Sequence, residues 1–412
     1  DRLTSAWQRG LAECLLADTD AECSILRQLW SSDMALCSFS QGYVSGTHAV
    51  RGWDWTQAVL DDRLSGWPSQ GQTRFLLSLP AEQRVWEFVA RTDAEVARGY
   101  WTEVSPYSVR DSYTRAAREL LNHGRPWAAL DLLASQGRSS VDVERVDVMT
   151  DGLRSAAFTE PGSDRASTYA AVEVLDDLEG SALVDDETLA SLEFIWWAAL
   201  EAHDRPARAI HRLLCSDPNF FATLVGFAHS THRNGPEEEA EIDEATRRAI
   251  LQRAQLTLEV LDSWRTVPGL TADGQIDGER LRQWILEGRT ILEPAGLLGP
   301  ADHHIGSLLA FSPDSDGQWP APVVCDIIEE LRSIDLEEGL ESAIVVLRET
   351  TRGMFDGGEQ ERVLAARYRE HAAAVLGCPR TASMLRRIAD AFEQEARTED
   401  DRASLRQDIG GI

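Results

Sequence analysis

Apolar residues recur at spacings of three and four along most of this chain, the period of one helix face. In "NHGRPWAALDLLAS", Pro126, Ala129, Leu130, Leu133 and Ala134 fall at i, i+3, i+4, i+7 and i+8. Just upstream, Tyr113, Ala116, Ala117, Leu120 and Leu121 repeat the spacing, and Gly124 supplies a left-handed stop. Proline opens a helix well, because its fixed φ suits the first turn and its missing N–H has no intrahelical partner there. The pattern predicts helix, tight turn, helix. In "AHDRPARAIHRLLCS" the same five offsets return at Pro206, Ala209, Ile210, Leu213 and Leu214, behind a stripe of Leu189, Leu192, Trp196, Ala199 and Leu200. With helices expected near 141–157 and 166–180, the 80 residues between the copies hold two hairpins of about 40 residues each, the size of HEAT-like and TPR-like units.

Elsewhere the reading is also helical. Before the first copy it places helices at 3–17, 20–37, 54–63, 71–78, 81–90 and 92–101, with "GYVSGTHAVRGWDW" as a loop anchored by aromatics or a short hairpin. "SDPNFFATLVGFAHS" starts a helix with Asp217 as N-cap and Pro218 at its first position. The Asn-Gly-Pro and acid run near 232–243 marks the expected boundary between a helical-repeat domain, 1–232, and a C-terminal helical domain, 244–412. In the second domain, helices are expected at 244–265, 277–292, 321–332, 335–350, 358–376 and 379–407, around a break-rich loop at 294–320 in which "ADHHIGSLLAF" can hold a short helix. The fold class is thus all-α, an α-solenoid of stacked hairpins with a C-terminal helical subdomain.

Charge narrows the function. All 40 basic residues are Arg, and against 69 acids they leave a net charge of -29, which repels the phosphate backbone that supplies most non-specific nucleic-acid affinity. The Arg-only usage points to the coding bias of a high-GC bacterium. No run of about 18 uncharged apolar residues exists, so no membrane span is expected. The six cysteines, at 14, 23, 37, 215, 325 and 378, show neither C-x-x-C nor paired spacing, and read as small core residues in a reducing cytoplasm. An opening "DRLTSAWQRG", without Met or a signal region, reads as the start of a fragment or a processed piece.

Motifs with chemistry are scarce. A P-loop is impossible without Lys, and neither G-x-G-x-x-G nor G-x-S-x-G occurs. "SPDSDGQW" and "LTADGQID" fail as calcium loops, because Val323 and Arg280 fall where the bidentate acid belongs. His229 and His232 share a helix face but lack a third ligand, and as helix-end imidazoles they suit the dipole. No cofactor and no metal are therefore expected. Candidate partner contacts are Trp197, one step off its apolar stripe, Asp302, His303 and His304 in the long loop, and the basic pair Arg386 and Arg387.

Three stretches, "LASLEFIWWAALEAHDRPARAIHRLLCSDPNFFATLV", "LEVLDSWRTVPGLTADGQIDGERLRQWI" and "GGEQER...PRTASMLRRIADAFEQEA", resemble the C-terminal helical region of large bacterial STAND- or NACHT-type multidomain proteins of defence or stress sensing. The resemblance covers residues 189–407 and implies a sensor solenoid whose ATPase or effector lies elsewhere; no functional residue transfers. The expectation is a non-catalytic module that recognises a protein partner or other domains of its own polypeptide. The alternatives are an enzyme with an unfamiliar site around 294–320, or an oligomerisation scaffold.

Overall fold

The computed structural model describes residues 19–136, 141–160, 168–229, 243–314, 318–347, 357–375 and 377–410. It is all-helical, 78% helix, and among the described residues no strand forms; two isolated bridges, Ala81 with Val109 and Leu270 with Ile276, are its only β pairings there. The chain forms two compact units, Asp1–Ile210 and His211–Ile412. The 232–243 segment expected to separate two domains lies, up to residue 242, outside the described residues.

The first unit contains α1 (Thr19–Arg27), α2 (Met34–Asp62), α3 (Ser69–Leu77), α4 (Gln83–Val89), α5 (Ala94–Glu103), α6 (Tyr113–Asn122), α7 (Pro126–Ala134), α8 (Val143–Ala157), α9 (Thr168–Ser181), α10 (Asp186–Ile195) and α11 (Trp197–Ala202). The expected loop or hairpin in "GYVSGTHAVRGWDW" is instead helix, kinked where Gly52 takes φ 68° and ψ -158°. Its buried stripe is Cys37, Ser40, Val44 and Thr47, at helical spacing but half polar. Ser40 is accommodated because its hydroxyl donates to the carbonyls of Ile25 (2.8 Å) and Leu36 (3.0 Å).

Helix α7 is buried from Pro126 through Leu133 and packs on α6, α8 and α9, so it is the central rod of this unit. Around it Trp127 and Trp196 meet edge to face at 5.5 Å, and their indole N–H groups donate to the carbonyls of Thr159 and Leu153. Trp86 donates to the Tyr100 hydroxyl (3.2 Å), and burial pushes that phenol up to about 12.

The two Arg-Pro copies share a helix stop. In each, a left-handed residue, Gly124 (φ 73°) or Asp204 (φ 52°), lets the following Arg N–H reach back to a leucine carbonyl, Arg125 to Leu120 and Arg205 to Leu200, both at 2.9 Å. This is the Schellman closure of a helix C-terminus. Both arginines then turn inward: Arg125 donates to the carbonyls of Trp101 and Val104, while Arg205 is 8% exposed among carboxylates. The copies part at the proline. Pro126 is the first residue of α7 and is buried, whereas Pro206 is exposed and α12 (Arg208–Ser216) starts two residues later. Trp196 and Trp197 also do not share one helix, because the chain turns at Trp196 between α10 and α11.

The second unit contains α13 (Pro218–Ala228), α14 (Glu244–Ser263), α15 (Gly278–Leu292), α16 (Leu298–Leu309), α17 (Pro322–Leu331), α18 (Ile334–Leu347), α19 (Glu359–Ala374) and α20 (Pro379–Gly410). Asp217, Asp243 and Asp277 cap α13, α14 and α15 through side-chain bonds to first-turn N–H groups. Phe221, Trp264 and Trp284 form an aromatic core with centroids 4.9–6.1 Å apart. The stretch 294–320 is not one long loop: α16 occupies its middle, with Pro300 tolerated in the first turn, where a missing N–H costs nothing. Its Gly306 is a contact residue. A Cβ there would lie 1.9 Å from the Leu336 carbonyl oxygen, and one at Gly339 of α18 would lie 2.0 Å from the His303 carbonyl oxygen. Glycines let α16 and α18 cross at backbone contact.

Candidate functional site

That crossing positions a pocket of about 230 Å3 in the second unit. Successive turns of α16 present His303 and Ser307 on one face, with Phe311 two residues beyond the helix. From α18 come Ser342, Ala343 and the exposed Val346, and from the end of α14 come Leu261 and Asp262, followed by Trp264 and Arg265. The Arg265 guanidinium stacks over the Phe311 ring at 4.5 Å and donates to the carbonyls of Asp262 and of Trp264 (3.2 Å). The mouth therefore carries one cation and one carboxylate above an aliphatic and aromatic wall.

Burial raises the Asp262 carboxyl, against the pull of Arg265 and His303, and lowers Arg265, against the pull of Asp262. His304 lies 3.3 Å from His229, Nε2 to Nε2, a contact that needs one donor and one acceptor. Burial, then the charges of His229 and His303, push His304 down to about 3. His211, bonded to Ser263 (3.1 Å), is pushed down by burial and Arg265 to about 4. Both imidazoles are neutral at pH 7.

A base whose pKa is lower folded than unfolded binds fewer protons in the native state between the two values. Its contribution to stability is present above the unfolded value of 6.5 and is lost as pH falls towards the folded one. Acidification from pH 6.5 to 5 is expected to destabilise the chain through these two imidazoles. His304→Gln is expected to flatten that slope in urea unfolding curves taken at several pH values. A slope unchanged by the substitution contradicts the assignment.

Of the residues anticipated from sequence, only His303 and His304 come together here. Asp302 is 2% exposed, pairs with Arg289 of α15 and does not line the pocket. Trp197 is 5% exposed, in the core of the other unit. Arg387 is held by Glu337 (2.6 Å) and Glu341 (2.5 Å), and Arg386 is exposed on α20; neither lines the pocket. His232 lies outside the described residues. Asp262, Arg265, Ser307 and Ser342 were missed; only the step from His303 to Ser307 had a signal, visible once the segment is read as helix.

The pocket holds the side-chain types of a hydrolytic relay, Ser307, His303 and Asp262, without its wiring. Ser307 donates to the Gly339 carbonyl (3.1 Å), and among the described residues no hydrogen bond joins His303 to Ser307 or to Asp262. Nor, among the described residues, does any group of three His, Cys, Asp or Glu side chains form a metal-binding cluster, and no helix is long and apolar enough to cross a membrane. Compared with known protein families, curated proteins and solved structures, the chain matches none.

Proposed function

We propose that this chain is a non-catalytic helical-repeat module of the stacked-hairpin, TPR- or HEAT-like kind that recognises protein. The carrying observation is the pocket itself. At about 230 Å3 it falls below the roughly 300–1,000 Å3 of whole small-molecule sites and suits one large apolar side chain of a partner. Arg265 at its mouth favours a partner acid beside that anchor, and the net charge of -29 disfavours nucleic acid. The shared helix stop at Gly124 and Asp204 supports a repeat origin. The likeness to C-terminal regions of STAND- and NACHT-type proteins supports a sensor or scaffold role in a larger bacterial defence protein, its partner being a separate protein or another domain of the same polypeptide. Free thiols at Cys23, Cys37, Cys215, Cys325 and Cys378 suit the cytoplasm.

A random peptide library displayed on phage tests this reading. Enriched peptides are expected to share an aromatic or aliphatic anchor next to an acid, and Val346→Asp or Arg265→Glu is expected to weaken them by about tenfold or more. Enrichment indifferent to both substitutions, or no enrichment, rejects it. The convergence of His303, Asp262 and Ser307 favours one other reading, an enzyme; ester turnover that disappears in Ser307→Ala would establish that alternative instead.

A further inference from the structure

The cysteines show no paired spacing in sequence, yet the fold of the second unit brings two of them together. Among the described residues, Cys23 meets the Arg63 guanidinium (3.7 Å), Cys37 donates to the Leu29 carbonyl (3.6 Å) and Cys215 to the Thr266 carbonyl (3.2 Å). Cys325 and Cys378 instead share a hydrogen bond between their thiols.

Their approach is built into the packing of α17 on α20. The Glu329 carboxylate of α17 accepts both the N–H (2.9 Å) and the hydroxyl (3.2 Å) of Thr381, in the first turn of α20, and so clamps the two helices. Cys325 stands one turn before Glu329 on the same face of α17, and Cys378 stands one turn before Thr381. Each cysteine is thus displaced from the clamp by one turn. Backbone bonds fix Cys378 further: its N–H donates to the Val375 carbonyl (2.9 Å), and its own carbonyl accepts the Ala382 N–H (2.9 Å). The Cys325 thiol has the Pro320 carbonyl (3.6 Å) and the Cys378 sulfur as its acceptors.

The two thiols differ in access. Cys325 is 0% exposed, whereas Cys378 is half-buried, so a small oxidant reaches Cys378 alone. The buried partner is then in place to resolve the product, the arrangement of a sensing and a resolving cysteine.

We propose that Cys378 and Cys325 are a hydroperoxide-responsive pair, in which Cys378 is oxidised first and Cys325 closes a disulfide that staples α17 to α20. The Cys378 thiolate attacks the O–O bond and becomes a sulfenic acid, and the other oxygen leaves as water or an alcohol. Cys325 sulfur then attacks Cys378 Sγ, the S–O bond breaks, and the hydroxyl departs as water with the Cys325 proton. Two thiols lose two electrons and the hydroperoxide gains them. In the reducing cytoplasm proposed above such a bond is transient, as redox sensing requires. The pair does not line the pocket, and its chemistry does not depend on what that pocket binds.

Burial and the carboxylates of Glu329 and Asp326 raise the Cys378 thiol, and burial with the neighbouring Cys378 pushes Cys325 up to about 12. The reaction is therefore slow at neutral pH and is expected to quicken about tenfold per pH unit up to about pH 9, as the thiolate fraction grows.

Hydrogen peroxide treatment of the whole chain, followed by intact mass and peptide mapping, tests the pair. The expected result is loss of two hydrogen masses, one linked peptide pair containing Cys325 and Cys378, and reversal by dithiothreitol. The oxidised chain is expected to unfold at a higher temperature than the reduced one. In Cys325→Ala, dimedone is expected to trap a sulfenic acid at Cys378, and in Cys378→Ser, Cys325 is expected to stay unlabelled at the same dose. Linkage through any other cysteine or between chains, oxygen gained without linkage, a lower unfolding temperature on oxidation, or no reaction even at about pH 9 overturns the proposal.

Discussion

Arg205→Met is expected to cost about 3–5 kcal/mol in urea unfolding, the range for breaking a buried ion pair from one side. The guanidinium makes one bond to each of three carboxylates, Asp176 at 2.7 Å, Glu193 at 2.9 Å and Glu179 at 3.1 Å. Glu193 is the vulnerable one. It is 1% exposed, its other oxygen accepts the Ile210 N–H at 3.0 Å, and burial raises its carboxyl even with Arg205 in place. Methionine keeps an unbranched stem of matching length up to the Nε position and most of its packing, so what disappears is the planar fork. Lysine brings a point charge that cannot reach three acids in one plane, and is expected to recover little. Arg205→Met with Glu193→Leu is expected to regain part of the loss, because the orphaned charge goes with its partner, while the Ile210 N–H remains unsatisfied. A single substitution costing less than about 0.5 kcal/mol, the scale of an ordinary surface change, contradicts the network.

The second large effect lies at the glycine crossing. Gly306→Ala or Gly339→Ala places a methyl about 2 Å from a backbone carbonyl oxygen, where no rotamer change relieves it. The α16 and α18 axes must separate, so the cost is expected to exceed the about 1–3 kcal/mol of side-chain overpacking. Separation also moves His303 away from Ser342 and opens the pocket, so peptide binding is expected to fall together with the midpoint of thermal unfolding. Gly226→Ala in α13 is the control: a Cβ there meets nothing within 4 Å, and alanine in a helix interior is expected to stabilise by up to about 1 kcal/mol. Equal behaviour of the three variants contradicts the close approach.

These cases show what the sequence carried. Caps such as Asp217 and Asp277 and the stop at Gly124 were legible because each acts within a few residues of itself. The first half of α2 was not, since Ser40 and Thr47 occupy core positions that a hydrophobic count scores as surface. In α16, Gly299, Pro300 and Gly306 read as breaks, yet Pro300 sits in a first turn and Gly306 answers to a partner helix distant in sequence. The pocket was half visible. His303 and His304 announced themselves as a pair, but nothing local places Asp262 opposite them or sends Asp302 away to Arg289.

The Arg-only composition has an alkaline consequence. Every side-chain cation holding Glu193, Asp302 or Glu337 is a guanidinium, which does not discharge at any pH a protein meets. Above neutrality these networks therefore keep constant charge, and the basic limb of the stability curve passes to other chemistry. Burial raises the phenols of Tyr43, Tyr100 and Tyr368 and the Cys325 thiol, so each is more readily ionised in the unfolded chain than in the native one. Base attacks this molecule through its buried hydroxyls and sulfur while its ionic lattice stands intact.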